Sequence, residues 1–168
     1  MTTDTIAPDK TGAQLQAADN SLVEAVVSTI ASVCKTQATP KAQRAEVRVD
    51  GEKIIASVSL VGDVEMTVFL GMPSATAVAL AEKFAGFKVP FESPDMADAI
   101  GELGNMIAGD LKIRLDRSGL KANISLPTVF RGQDLTVTTP KWEIIRDHFF
   151  GTPSGDFMAG LCSRKLKP

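Results

Sequence analysis

Apolar positions along the chain switch between two periods, and the switches outline a fold. Over residues 20–37, Leu22, Val26, Ile30 and Val33 recur at helical spacing, with Val23, Val27 and Cys34 beside them. This pattern predicts a first helix, apolar over a wide arc and therefore largely covered, with Asn20 or Ser21 as its cap. Thr39-Pro40 and the polar KAQR stretch end it. The period then falls to two. Ala45, Val47 and Val49 alternate with Glu46 and Arg48, and Asp50-Gly51 carries a hairpin signal. A second strand is expected over 53–61, with Ser57 and Ser59 on its wetter side. After the Gly62-Asp63 turn, Val64, Met66, Val68 and Leu70 alternate with Glu65 and Thr67, giving an antiparallel meander with one buried face.

Helical spacing returns in SATAVALAEKFAG, opened by Pro73 or Ser74 and closed by Gly86. It sets Val78, Ala81 and Phe84 or Phe87 towards the core. The longest periodic stretch is 93–119, SPDMADAIGELGNMIAGDLKIRLDRSG. Ser93 suits the N-cap, Pro94 the first helical position and Gly119 the left-handed residue beyond the end. After it, Ala122, Ile124 and Leu126 alternate as a strand that Pro127 ends. Arg131-Gly132 reads as a turn, and Leu135 and Val137 as the next strand. Further strands are expected over 142–150 and 156–165, separated by the turn cluster Thr152-Pro153-Ser154-Gly155.

The result is an α+β fold: an antiparallel sheet layer with long helices packed on one side. Helix, three strands and helix, followed by helix and three or four strands, suggests an internal duplication. Residues 1–18 lack a period and are expected to be a disordered tail, leaving 19–168 as a single domain.

The long helix carries the candidate chemistry. On a wheel of ~100° per residue, Met96, Ala99, Ile100, Leu103, Ile107 and Leu111 gather on one side. Asp98, Glu102, Asn105 and Gly109 lie opposite, within an arc of about 60° on the same wheel. A solvated polar face is the ordinary reading of such a pattern. The glycines argue for more, since each costs about 0.5–1 kcal/mol relative to Ala in a helix interior. Ala97, Gly101, Gly104 and Ala108 form a small-residue stripe beside the polar face, open either to an internal element or to a docking partner. Asp110 and Arg114 point towards the apolar side, spaced for an i, i+4 pair.

Composition narrows the function. The 168 residues are 44% hydrophobic and 23% charged, with a formal net charge of −2. One globular domain fits, and neither nucleic acid nor an anionic membrane has electrostatic support as a partner. No apolar run approaches the ~20 residues of a membrane span, and MTTDTIAPDKTG lacks signal-peptide features. Cys34 and Cys162 are the two cysteines, so reduced thiols and a cytoplasmic location are expected. Both read as packing residues. His148 is the single histidine, a structural or surface residue and poor support for a zinc set. G-x-S-x-G, P-loop and G-x-G-x-x-G motifs are absent.

Asp98, Glu102 and Asn105, followed about two dozen positions on by Pro127, resemble the signature of the CheC/CheX/FliY phosphatases of bacterial chemotaxis. GELGNMIAGDLK, the following SLPTVFRG and the early SLVEAVVSTIASV are most similar to the CheX branch. The resemblance covers roughly residues 20–165. It implies hydrolysis of the aspartyl phosphate on a CheY-like response-regulator receiver. Glu102 would pair with the receiver's lysine, and Asn105 would hold the attacking water. Asp98, Gly109 and Pro127 would contact the partner. No cofactor of its own is implied; Mg2+ is expected in the receiver. Members with two sites repeat the Glu/Asn pair on the first helix, where this chain has Glu24 and, three residues later, Val27. One site per chain follows, as in CheX-like members, which the family pattern implies are homodimers. Trp142, Phe149 and Phe150 could supply that interface or equally a monomer's core. A non-catalytic adaptor that binds a receiver or flagellar-switch component is the competing reading.

Overall fold

The computed structural model describes residues 10–42, 51–137 and 143–164. Their elements are α1 (Lys10–Val33), β1 (Thr39–Lys41), β2 (Glu52–Gly62), β3 (Glu65–Pro73), α2 (Ser74–Ala85), α3 (Pro94–Arg117), β4 (Ala122–Ile124), β5 (Thr128–Gln133), β6 (Glu143–Thr152) and β7 (Gly155–Ser163). The strands form an antiparallel sheet in the order β1-β6-β7-β3-β2-β4, with β5 also on β2.

Strand parity decides which face is covered. Ile54, Ala56, Val58 and Leu60 of β2, Met66, Val68, Leu70 and Met72 of β3, and Phe157, Ala159 and Leu161 of β7 share one buried cluster with all three helices. Alternate residues point to opposite faces, so the helices lie on the same side of the sheet. The expected layer architecture is what forms. Each long helix leads into a short edge strand on the other hairpin. β1 joins β6, β4 and β5 join β2, and β3 meets β7 at the centre. A repeated half would give this exchange, although no residue-level match accompanies it.

The helix ends follow from their residues. Ser93 Oγ accepts from the Met96 amide at 3.3 Å and donates to the Pro90 carbonyl at 2.7 Å. At the other end of α3, Gly119 has φ +86°. The amides of Gly119 and Leu120 donate to the carbonyls of Asp116 and Leu115, closing a Schellman motif. Gly86 ends α2 in the same left-handed region.

Several expectations are corrected. Residues 10–18, expected to belong to a disordered tail, are helical: α1 begins at Lys10 and Ala18 is fully buried. The alanines and glutamines there favour helix, and packing of Leu15, Ala18 and Leu22 completes the stripe. Residues 1–9 lie outside the described residues, as do the strand expected around Ala45, Val47 and Val49 and the aromatic Trp142. β1 occupies a segment read as a helix stop. In α2, Ala81 is buried and Val78 and Phe84 pack against the core as expected, joined by Ala77 and Leu80, whereas Phe87 is exposed beyond its end. Arg131-Gly132 lies within β5 and makes no turn; Leu135 and Val137 are outside any strand. β4 stops at Ile124, leaving Leu126 exposed. Phe150 is in the core, its ring stacked on Phe157 at 5.2 Å, whereas Phe149 takes the opposite parity.

Candidate functional site

The small-residue stripe of α3 faces the sheet. A Cβ on Gly104 would stand 3.1 Å from Ala56 Cβ, and one on Gly101 would stand 3.2 Å from Val129 and 3.5 Å from Pro127. The glycines therefore let the helix press onto β2 and onto the break before β5. That seating tilts the polar face outwards. Gly109 differs: nothing lies within 4 Å of a Cβ there, so its surroundings are open.

Asp98 and Glu102 are exposed, and Asn105 is half-buried. No side-chain hydrogen bond or ion pair of these three residues occurs among the described residues. At i and i+3, Glu102 and Asn105 are neighbours on the helix surface, with Cβ atoms about 5–6 Å apart. Beside them runs an open groove of about 470 Å³, lined by Ala97, Asp98, Gly101, Glu102, Pro127 and Val129. The structure thus brings Pro127 to the polar face, across roughly two dozen residues of sequence. Asn105 lies one turn beyond the lining, and Gly109 one turn further.

Pro127 also interrupts the sheet edge. β4 pairs with Leu60–Gly62 of β2 and β5 with Glu52–Ser57, and the chain steps out between them. A proline at such a break forfeits no ladder hydrogen bond. The head of the groove is anchored by Arg131, whose guanidinium donates to the carbonyls of Phe91 (2.5 Å) and Ser93 (3.1 Å). It also lies 3.6 Å from the Glu92 carboxylate.

Several polar groups elsewhere have structural partners. Arg114 holds Asp110 at 3.0 Å and also pairs with Glu24 of α1, while Ser28 donates to Asp110. The spacing of Asp110 and Arg114 is realised as a clasp between the two long helices. His148 Nε2 lies 2.6 Å from Oδ1 of Asp19, a carboxylate only 3% exposed, which makes it a structural histidine. Cys34 and Cys162 are buried free thiols, and burial pushes the Cys34 thiol up to about 11. Among the described residues no cluster of three or more His, Cys, Asp or Glu is placed to hold a metal ion. Among the described residues no helix is long and apolar enough to cross a membrane.

Glu102 and Asn105 thus stand outwards on a glycine-seated helix, with Pro127 at the sheet break opposite. The family model described as chemotaxis phosphatase CheX matches residues 54–145, and the chain belongs to that family. The chain is 32% identical over 85 residues to the CheY-P phosphatase CheX of Thermotoga maritima, covering 50% of this chain. That match spans only 55% of the relative's length. CheX of Vibrio vulnificus superposes with a TM-score of 0.76 at 17% identity, covering 88% of this chain and 99% of that one. The CheX–CheY–BeF3–Mg complex of Borrelia burgdorferi aligns with a TM-score of 0.69 at 19% identity, covering 88% and 98%.

Ala97 of the groove belongs to the small-residue stripe read from the sequence, whereas Val129 and Leu126, which directly precedes Pro127, are not singled out there as site residues. Val129 alternates like any strand residue. Leu126 stands directly before a proline, where regular pairing is disfavoured, and that was the available signal.

Proposed function

We propose that the chain hydrolyses the aspartyl phosphate of a CheY-like receiver. The observation that carries this reading is the pair Glu102 and Asn105, outward, adjacent and unpaired on a helix seated by Gly101 and Gly104. Glu102 docks by a charge-assisted bond to the receiver's lysine. The Asn105 carboxamide oxygen accepts a hydrogen bond from water and aims its lone pair at phosphorus. Water attacks, the P–O bond to the aspartyl carboxylate breaks, and the bonding electrons leave with the carboxylate. The water's proton passes to the phosphate product. The acyl phosphate is already activated and the receiver brings its own Mg2+, so positioning is what the helper adds.

Asp98, Gly109 and Pro127 complete the docking surface in this reading: a carboxylate, an open backbone and a rigid corner. The protein works in the cytoplasm, where receivers are found and where free thiols persist. We also propose a homodimer, for which Phe149, turned away from the helices, is the candidate contact; light scattering tests it. The phosphatase reading is tested by release of inorganic phosphate from a phosphorylated CheY receiver with and without the protein. Faster release is expected. Unchanged release together with measurable binding would make the protein an adaptor.

A further inference from the structure

Leu126 is 87% exposed, whereas the other large exposed hydrophobics, Val61, Phe87, Ile113, Phe130 and Val137, range from 43% to 58%. A lone exposed leucine is unremarkable on a mobile loop. This one is held. The Ser125 amide donates to the Ser59 carbonyl at 2.8 Å, and Ser125 Oγ accepts from the Ser59 amide at 3.0 Å. The same hydroxyl donates to the carbonyl of Leu126 at 2.8 Å. Pro127 follows, restricting Leu126 to extended backbone, and its own ring lies against Gly101. The chain therefore fixes an apolar side chain in water on a braced corner.

Its position relative to the site follows from register. The strand runs antiparallel to α3, with Arg131 reaching the carbonyl of Ser93 and Pro127 lying against Gly101. A strand advances about 3.3 Å per residue and a helix about 1.5 Å, so one strand residue matches roughly two helix residues. The step from Pro127 back to Leu126 therefore runs towards the Asn105 end of α3 and away from its Ser93 end. The groove thus has an acidic bank, Asp98 and Glu102, and an apolar bank, Pro127 and Val129, and Leu126 directly precedes Pro127 in the chain.

We infer that Leu126 is the apolar docking residue of the site: it enters an apolar recess of the receiver beside the phosphorylated aspartate, while the acidic bank takes a cationic side chain. This rests on the phosphatase reading for its partner. The two banks together select receivers that present a basic and an apolar patch at the spacing of the groove.

The test titrates a CheY receiver charged with beryllofluoride and Mg2+ against wild type, Leu126→Ala, Leu126→Met and Asn105→Ala. Single-turnover dephosphorylation and thermal melting are read on the same proteins. Leu126→Ala should weaken Kd and raise the half-saturating concentration about tenfold, the scale of losing one leucine's contacts. Its maximal rate and Tm should equal those of wild type, and Leu126→Met should restore binding. Unchanged binding in Leu126→Ala, a loss confined to the maximal rate, or a fall in Tm would overturn the inference. If wild type binds without hastening phosphate loss, the phosphatase reading fails and the Kd values still judge Leu126. If wild type hastens the loss and Leu126→Ala binds equally well, only the inference about Leu126 fails.

Discussion

The two long helices are each 24 residues and pack along one another on the same sheet, yet they use their polar residues in opposite ways. On α1, Asp19 is bonded to His148, Glu24 to Arg114 and Ser28 to Asp110. On the outward face of α3, Asp98, Glu102 and Asn105 have no partner among the described residues. The contrast separates a structural carboxylate from one free for a partner. Glu24, where the family resemblance implies a second pair in two-site members, is engaged by Arg114, and Val27 stands three residues on. A glutamate at the right position is not a site if the fold has already taken its charge.

The largest stability loss should come from α1's engaged residues. His148→Ala leaves the Asp19 carboxylate buried with Arg146 3.7 Å away as its remaining ionic partner. A cost of about 3 kcal/mol is expected in urea denaturation, in line with orphaning a buried charge. A cost near zero would mean that α1's polar residues are no more committed than those of α3.

Within α3, the glycines allow a finer comparison. Gly104→Val would drive two methyl groups into β2 and should cost about 2–3 kcal/mol by overpacking. Gly109→Ala meets open space and should gain about 0.5–1 kcal/mol from helix propensity. Equal effects at the two positions would refute the division into a seated and an open part of the helix. Arg114→Ala, which frees Glu24 and Asp110 together, should cost about 1 kcal/mol, moderated by the solvent exposure of the pair. Its phosphatase rate should match wild type, and a fall in rate would tie the clasp to the site.

The α+β layer, the long helix with its cap and stop, and the polar face were legible in the sequence because each rests on local period or local capping. Pro127, read as ending a strand, stands instead between β4, which stops at Ile124, and β5, and its arrival at Gly101 is tertiary. What failed to show was tertiary in origin. Residues 10–18 needed the sheet to complete their apolar stripe. Arg131-Gly132 looked like a turn, yet pairing with Ile54 and Lys53 keeps it in β5. The glycine stripe was open between an internal element and a partner, and the 3.1 Å approach to Ala56 assigns Gly104 to the interior.

In the proposed reaction Asn105 positions the attacking water while its helix presents it. Single-turnover decay of a phosphorylated CheY receiver, measured at saturating wild type and Asn105→Ala protein, tests this most directly. Asn105→Ala is expected to lose at least about 100-fold of the acceleration, the scale of losing one positioned group, with receiver binding and Tm intact. Decay as fast as with wild type would contradict it.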